Sequence, residues 1–357
     1  MIFSVEELKR FTTEVFLKIG CPENEAIQAA EVLVSADLRG VDSHGVARLP
    51  GYIRLKEKNR LNSKPIIKTT HETPSTAVVD GDLGSGLVVG PHAMRLAIEK
   101  AKEVGSGWVA VKNSNHYGIA GYHAMMALEE DCIGISLTNA SPLVSPTFSK
   151  ERLLGTNPIA IAIPTGNQPP FVLDMATTTV ANGKLEVLQR KGQGALPGWL
   201  QDKAGNITTD TKSLINGGSM RPLGGDRAHG SHKGYGLGAV VDILSAVLSG
   251  ANYGPWVPPF VAFIDPASNP VGEGLGHFFG AIRIDAFRDG NEFKNHMDNW
   301  IKRFRQSETI EGAERVLIPG DPEREMTEEG LKNGIDLLKS VADDLTVLGR
   351  KLDVFLV

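Results

Sequence analysis

Apolar residues recur with a helical period over the first 60 residues of the chain. Ser4 and Glu7 form a capping box, and the apolar positions that follow are spaced three or four residues apart until Gly20. A second apolar face predicts a helix over residues 24–37, and a third helix is expected over residues 43–59. The pattern therefore predicts an all-helical unit at the start of the chain.

A different pattern begins near residue 69, where short β-branched runs alternate with helices punctuated by glycine. This alternation predicts a mixed α/β or α+β domain. The expected strands are residues 75–80, 107–111, 133–138, 159–164 and 171–174, with later apolar runs at 258–264 and 278–284 that suggest further strands. The expected helices are residues 91–104, 121–130, 180–191 and 234–248.

The tail returns to helical periodicity over residues 327–348, where leucine, isoleucine and valine repeat every three or four positions. Because both ends of the chain are helical, we expect them to pack together as one lobe. The expected domains are residues 1–68 together with 291–357, and an inserted mixed domain over residues 69–290.

Composition and charge narrow the function classes. The chain has 357 residues, of which 41% are hydrophobic and 22% charged, as in an ordinary globular protein. The 37 Lys and Arg against 42 Asp and Glu give a net charge of −5, so nucleic acid is not an expected partner. The longest apolar helix candidate, residues 237–248, is too short to span a bilayer, so no membrane partner is expected either.

The cysteines and the first residues bear on the compartment. Cys21 and Cys132 are far apart and form no CxxC motif, which fits a reducing compartment. The first residues include early acids and no long apolar core, so they do not resemble a signal peptide. We expect a cytoplasmic protein. HExxH and closely spaced Cys/His pairs are absent from the sequence, so no metal is expected.

Ser43, His44 and Arg48 place a hydroxyl, an imidazole and a guanidinium within six residues at the expected start of the third helix. His44 and Arg48 are four apart and would share a helix face. A helix N-terminus beside an arginine is a suitable seat for a small carboxylate, with His44 placed to exchange a proton. The same residues also fit a capped surface helix with an incidental histidine and arginine.

His116 is the second candidate for proton transfer, since it follows the end of an expected strand. Loops at strand ends often carry the chemistry of α/β enzymes, and the neighbouring Asn115 and Tyr117 could hold the imidazole in one tautomer. The alternative is a histidine that caps or packs locally.

The glycine-rich stretch that starts at Gly84 is a poor match to a Rossmann fingerprint. A turn separates the first glycine from the preceding strand, and the next strand ends in Lys112 where the fingerprint has an acid. Two other helix starts favour anions: the threonine run after Asp174, and the glycine-rich segment around Lys233. Together they suggest a pyrophosphate ligand.

Taken in order, short motifs along nearly the whole chain resemble the malate/L-lactate dehydrogenase family, which is unrelated to the Rossmann-type lactate and malate enzymes. The motifs are Ala36-Asp37-Leu38-Arg39-Gly40, Ser43-His44-Gly45, Asn115-His116, Gly155-Thr156-Asn157-Pro158, Asp174-Met175-Ala176, Lys233-Gly234-Tyr235-Gly236-Leu237 and Pro319-Gly320-Asp321. The resemblance implies a nicotinamide-binding domain with a largely antiparallel sheet, a helical substrate and dimer lobe made from both chain ends, and a homodimer.

The resemblance also implies roles for individual residues. It makes His44 or His116 the proton donor and acceptor, and puts Ser43 and Arg48 near the substrate carboxylate. Some relatives have serine at the position of Ala140, so Ser141 or the backbone would have to serve here. The implied cofactor contacts are Ser141, Asp174, Met175, Ala176, His232, Lys233, Pro319, Gly320 and Asp321.

The resulting hypothesis is an oxidoreductase that transfers hydride between NAD, or NADP, and C2 of a small 2-hydroxy or 2-oxo acid similar to malate, lactate or ureidoglycolate. We favour His116 as the acid/base, with His44 orienting it or binding substrate, although the reverse assignment stays open. The alternatives are an NADPH-dependent reductase of a cyclic imino acid and a non-catalytic nucleotide-binding protein.

Overall fold

The computed structural model describes residues 1–356, which form two core regions beside a central sheet. The strands are β1 (Ile2–Phe3), β2 (Lys68–Glu72), β3 (Thr76–Asp80), β4 (Ser106–Ser114), β5 (Cys132–Thr138), β6 (Ile159–Ile163), β7 (Phe171–Met175), β8 (Leu200–Gln201), β9 (Ile207–Thr208), β10 (Ser219–Met220), β11 (Leu275–Arg283) and β12 (Ile335–Asp336). The helices are α1 (Val5–Lys18), α2 (Glu23–Leu38), α3 (Leu49–Glu57), α4 (Gly86–Val104), α5 (Ala120–Met125), α6 (Asn182–Arg190), α7 (Ser231–Asp242), α8 (Gly290–Arg305), α9 (Asp321–Asn333) and α10 (Lys339–Leu352).

The central sheet has seven strands in the order β2-β3-β4-β11-β5-β6-β7. All neighbours are antiparallel except β3 and β4, which are parallel and joined through α4. The late strand β11 lies at the centre, between β4 and β5, because each of its faces is buried and apolar. The expectation of a mixed fold with a largely antiparallel sheet is confirmed.

Both ends of the chain meet in one helical core. Ser4 caps α1 by accepting a hydrogen bond from the Glu7 amide at 3.1 Å, as the capping box predicts. Phe11 and Phe16 of α1 are fully buried and belong to the same apolar cluster as Leu345 and Leu348 of α10. The predicted helical lobe made from both chain ends is confirmed.

The prediction of a helix beginning at Ser43 is wrong. Two 3₁₀ turns, Asp42–His44 and Val46–Arg48, precede α3, and neither Asp42 nor Ser43 caps a helix. Between the turns Gly45 lies against the buried carboxylate of Asp37, where a Cβ atom would be 1.9 Å from Oδ1. The same carboxylate accepts a hydrogen bond from the Val46 amide at 2.8 Å. This tertiary contact redirects the chain, so the expected helix N-terminus is not available to seat an anion.

Three further predictions of secondary structure need correction. The tail is not one helix, because Gly334 adopts φ +85° and separates α9 from β12 and α10. Residues 258–264 form no strand; Pro258 and Pro259 have no amide hydrogens to contribute to a ladder. Strand β2 was missed because its residues are all exposed, which leaves no apolar alternation to detect.

The glycines before and within α4 do not form a dinucleotide fingerprint. Ser85 caps α4 by accepting from the Leu87 amide at 3.3 Å. Gly86 packs so closely on the loop after β4 that a Cβ atom would lie 2.3 Å from the Asn115 carbonyl oxygen. The space that a bound phosphate would need is therefore filled by the chain itself, in agreement with the sequence interpretation.

Candidate active site

The structure brings His44 and His116 together, although 71 residues separate them in the sequence. Their rings are stacked with centroids 5.6 Å apart and an interplanar angle of 18°. His44 reaches this position from the first 3₁₀ turn, and His116 from the loop that follows β4. The two candidates for proton transfer thus belong to one site, as the sequence hypothesis requires.

Each imidazole is held through Nδ1. The Ser43 hydroxyl lies 2.9 Å from Nδ1 of His44, and the Tyr52 hydroxyl lies 2.6 Å from Nδ1 of His116. Within residues 1–356 neither Nε2 atom has a hydrogen-bond partner. Nε2 is therefore the nitrogen that each ring can offer to a ligand.

Tyr52 can accommodate both protonation states of His116. Its hydroxyl oxygen lies 2.6 Å from Nδ1 and 3.3 Å from the backbone carbonyl oxygen of the same residue. When Nδ1 is bare, the hydroxyl can donate to it; when Nδ1 is protonated, the ring can donate to the hydroxyl, which turns to the carbonyl. In the tautomer with the proton on Nδ1, Nε2 is bare, and a proton can be gained or lost there while Nδ1–H keeps its contact with Tyr52.

Phe260 covers the other side of His116, with ring centroids 4.4 Å apart. Its backbone is tied down from three directions: Arg54 donates to its carbonyl oxygen, Arg60 donates to the Pro259 carbonyl at 2.8 Å, and its own amide donates to the Ser141 hydroxyl at 2.8 Å. The segment that was wrongly predicted to be a strand is therefore a fixed wall of the histidine pocket.

Burial in this pocket keeps both imidazoles neutral. Desolvation and, to a smaller extent, the nearby Arg48 guanidinium lower the pKa of His44 to about 3. The pKa of His116 is also held well below its usual range, first by desolvation and then by His44 and Arg48. A neutral imidazole is the form that can accept a proton.

Arg48 lies beside the pair but is engaged within the protein. Its Nε donates to the Ser43 carbonyl oxygen, while Nη1 and Nη2 donate to the two carboxylate oxygens of Glu186 at 3.2 and 2.7 Å. Arg48 is thus able to bind a carboxylate with two hydrogen bonds, and the carboxylate that it binds in this structure is that of Glu186 on α6.

Asp174 is the penultimate residue of β7 and contacts α5. It accepts a hydrogen bond from the Gly121 amide at 2.7 Å, and desolvation raises its pKa to about 6 against the opposing effects of this bond and of Arg39. Met175 and Ala176 follow it at the edge of the sheet and are partly exposed. Asp174 therefore supports the start of α5 and leaves one carboxylate oxygen for a ligand.

His232 and Lys233 lie in the first turn of α7 and line a cavity there. This cavity has a volume of about 560 Å³, and Arg227, whose Nη1 lies 3.0 Å from Nδ1 of His232, lines it as well. Three basic side chains at the positive end of a helix fit the phosphates of a dinucleotide. The residues present therefore suit the nicotinamide cofactor that the resemblance implies.

The turn formed by Pro319, Gly320 and Asp321 is anchored to the sheet, because the Pro319 carbonyl accepts from the Val172 amide at 3.0 Å. The Asp321 side chain is 2% exposed and accepts hydrogen bonds from Arg305 and Arg324 at 2.8 and 2.7 Å. Its carboxylate is thus already neutralised within the protein. The cofactor contact predicted for this turn therefore falls to its backbone, since the Asp321 carboxylate is engaged by the two arginines.

Sequence reasoning missed Tyr52, Phe260 and Glu186. Tyr52 lies four residues after Arg48, a helical spacing that could have pointed to it, since Arg48 is the N-cap of α3 and Tyr52 lies in the first turn of that helix. No local signal marks Phe260 or Glu186, which reach the site from 144 and 138 residues beyond His116 and Arg48. Only the tertiary fold places them there.

Residues 1–356 contain neither a membrane-spanning helix nor a cluster of metal ligands. No helix in that range is long and apolar enough to cross a membrane. No group of three or more His, Cys, Asp or Glu side chains there is arranged to hold a metal ion.

Comparison with known proteins places the chain in a family. A family model described as malate/L-lactate dehydrogenase matches residues 3–346. The chain is 47% identical over 350 residues to a malate dehydrogenase of Pyrococcus abyssi, covering 98% of this chain and 94% of that one. It is 42% identical over 353 residues to an L-sulfolactate dehydrogenase of Methanocaldococcus jannaschii, covering 99% and 97%.

The solved structures agree. The structure of malate dehydrogenase from Pyrococcus horikoshii superposes with a TM-score of 0.90 at 42% identity, covering 99% of this chain and 96% of that one. Fold, sequence and motif order thus point the same way. This chain belongs to the malate/L-lactate dehydrogenase family and is an oxidoreductase that acts on 2-hydroxy acids.

Proposed function

We propose that the chain exchanges hydride between NAD and C2 of a small 2-hydroxy acid, with malate and sulfolactate as the first substrates to test. The observation that carries the proposal is the stacked pair of neutral histidines, both offering Nε2, beside an arginine that already holds a carboxylate. The similarity to malate and sulfolactate dehydrogenases supports the choice of substrates.

His116 acts as the acid/base. In the oxidative direction the neutral ring carries its proton on Nδ1 and donates it in a hydrogen bond to the Tyr52 hydroxyl, so that the bare Nε2 takes the proton of the C2 hydroxyl. In the reductive direction the same proton returns to the carbonyl oxygen. The bound nicotinamide supplies or receives the hydride at C2.

His44 and Arg48 bind the substrate beside His116. The guanidinium of Arg48 binds the C1 carboxylate, and Nε2 of His44, fixed by the contact of Nδ1 with Ser43, donates to a substrate oxygen. Phe260 excludes water from one face of the His116 ring. These contacts orient C2 while His116 moves the proton.

The cofactor is bound by residues of the mixed domain, residues 69–290, and by the turn at Pro319, Gly320 and Asp321. Lys233 and His232 bind the phosphates at the start of α7, in a cavity large enough for part of a dinucleotide. Met175, Ala176 and Ser141 contact the cofactor nearer the sheet. Residues 1–68 and 291–357 form the substrate lobe, since the apolar cluster of the helical ends includes residues on both sides of the inserted domain, whereas the exposed apolar surface that supports a dimer lies at residues 237–248 of the mixed domain.

The working form is a cytoplasmic homodimer. The surface of α7 and the π-helical turn that follows, Ile243–Val247, supports a second copy, because five apolar side chains spaced along it are 42–57% exposed. They are Leu237, Val240, Ile243, Val247 and Leu248. The free thiols of Cys21 and Cys132 suit a reducing compartment. Light scattering on the wild type and on Val240→Lys tests the dimer; a monomeric wild type would contradict it.

The experiment that tests the proposed function follows the absorbance of NADH and NADPH with oxaloacetate, sulfopyruvate, pyruvate, glyoxylate, diketogulonate and Δ1-piperideine-2-carboxylate. We expect the fastest turnover with oxaloacetate or sulfopyruvate and NADH. Preference for the cyclic imine would move the proton transfer from oxygen to nitrogen. Cofactor binding without turnover of any substrate would favour a non-catalytic nucleotide-binding protein.

A further inference from the structure

Helix α6 lies directly over the segment that carries Ser43 and Arg48. At Gly183, in its first turn, a Cβ atom would be only 1.9 Å from Cβ of Ser43, so only glycine permits this approach. One turn further along, Glu186 reaches Arg48. At its far end Arg190 forms an ion pair with Asp344 of α10 at 3.0 Å. The helix therefore covers one side of the substrate seat.

The Arg48–Glu186 pair uses up the places where arginine can bind a carboxylate with two hydrogen bonds. A guanidinium offers such a fork at its Nη1/Nη2 end and along its Nε side. Glu186 fills the first with bonds of 3.2 and 2.7 Å, and the Ser43 carbonyl oxygen takes Nε of the second. An incoming substrate carboxylate can bind in two-point fashion only after one of these partners leaves.

Glu186 is the partner that can leave. Its side chain is 38% exposed, against 16% for Arg48, so its carboxylate can turn toward water, whereas the Ser43 carbonyl belongs to the backbone. Asn182 donates to Glu186 at 2.8 Å and holds it in the bound position. A partly exposed ion pair contributes little net stability, so exchange of one carboxylate for another is nearly balanced.

We propose that Glu186 is an internal competitor for the substrate: its carboxylate occupies the seat of the C1 carboxylate on Arg48, and a 2-hydroxy or 2-oxo acid binds by displacing it. This inference rests on the proposed function, because it assumes that Arg48 binds substrate. It makes Glu186 a determinant of KM, since every productive binding event includes its release.

The test is Glu186→Gln, which keeps the size of the side chain and an oxygen that can accept from Asn182 but removes the charge that competes for Arg48. We expect the KM for the best 2-oxo acid to fall by about threefold to tenfold, with a smaller change in kcat, as for loss of a competing ion pair. Asp344→Asn is the matched control. It removes the acidic charge of α10 that pairs with Arg190 at the far end of α6, does not touch Arg48, and should leave KM unchanged. A KM that is unchanged or raised in Glu186→Gln would overturn competition, because Glu186 would then serve to position Arg48.

A second measurement separates this inference from the proposed function. Hydrogen exchange of residues 182–190, measured without ligand, should be faster in Glu186→Gln than in the wild type, because the contact with Arg48 is weakened. In the wild type, oxalate, a dicarboxylate mimic of a 2-oxo acid, should speed exchange of the same segment at saturating NADH. If the wild type turned over no 2-oxo acid, the proposed function would fail. Equal exchange in the ligand-free variant and wild type would overturn the contact itself.

Discussion

The histidine pocket around His116 and the start of α7 are built in opposite ways. At His116 an aromatic ring, a phenol and a second imidazole hold the functional side chain, and the pKa of the imidazole is lowered by burial. At α7 the basic side chains His232 and Lys233 face a broad cavity, and Lys233 is exposed. One region is assembled before any ligand arrives, and the other offers charge to a ligand that has to complete it.

The difference fits the chemistry that we propose for each region. Proton transfer needs a group at fixed distance and in a fixed protonation state, which requires packing from several elements. Binding of phosphates needs positive charge and backbone amides, which a helix start in a glycine-rich segment supplies locally. The two regions should therefore respond differently to substitution: the first in kcat and substrate affinity, the second in cofactor affinity.

The largest effect is expected at His116. His116→Ala should lower kcat by about a hundredfold to ten-thousandfold, because it removes the acid/base, while the dissociation constant for NADH stays close to that of the wild type. His44→Ala is the matched variant and should raise KM more than it lowers kcat. A near-normal kcat for His116→Ala at saturating substrate would transfer the acid/base role to His44.

Arg48→Met comes next. Loss of a two-point contact between charged groups, worth about 1.5–3 kcal/mol, should raise the KM for 2-oxo acids by about tenfold to a hundredfold. Cofactor affinity, measured by NADH fluorescence, should be unchanged. Equal weakening of both ligands would remove Arg48 from the substrate seat and would weaken the contrast between the two regions.

The contrast extends to the free energy of unfolding, because two more imidazoles are buried in the core, His123 on α5 and His277 on β11. Tyr117 is stacked between His123 and His277, and burial lowers their pKa values to about 4 and about 3. Unfolding restores a pKa near 6.5. Between the folded and unfolded values the unfolded chain binds more protons, so this stability is present above pH 6.5 and is lost as the pH falls.

At pH 5 each of these two histidines should lower the free energy of unfolding by about 2 kcal/mol relative to pH 7. The loss amounts to about 1.4 kcal/mol for each pH unit below 6.5. Urea unfolding at the two pH values measures the loss. His277→Gln should flatten the dependence by the share of one histidine. A free energy of unfolding that is equal at pH 5 and pH 7 would show that these imidazoles are accessible to protons.

The smallest effect is expected at the start of α7. Lys233→Ala should weaken NADH binding by about threefold to tenfold, since one partly exposed charge on a phosphate is worth about 1 kcal/mol, and should leave the KM for 2-oxo acids within about twofold. Lys332→Ala, on the exposed surface of α9, is the control for net charge. A change in kcat as large as that at His116 would mean that α7 takes part in the proton step.

Local patterns in the sequence were enough to predict most of the fold. The capping box at Ser4, the apolar period of α2 and the runs that became β5, β6 and β7 are signals carried by neighbouring residues, and the structure agrees with them to within a few residues. Predictions failed where a contact between two elements prevailed over a local preference, or where the pattern of apolar residues hid a local helix or strand breaker. The clearest case is Gly45, where the buried Asp37 side chain breaks the helix expected at Ser43.

The sequence by itself determined the family, through the order of short motifs, and singled out His44, Arg48, His116 and Lys233 as candidates for the chemistry. Their types and local spacing suffice for that, because charge and proton affinity belong to the side chain. Only the tertiary structure decided that the two imidazoles stack, that Phe260 covers one of them and that Glu186 occupies Arg48. These contacts join residues 72 to 144 positions apart, and packing of the whole chain, rather than any local preference, brings them together.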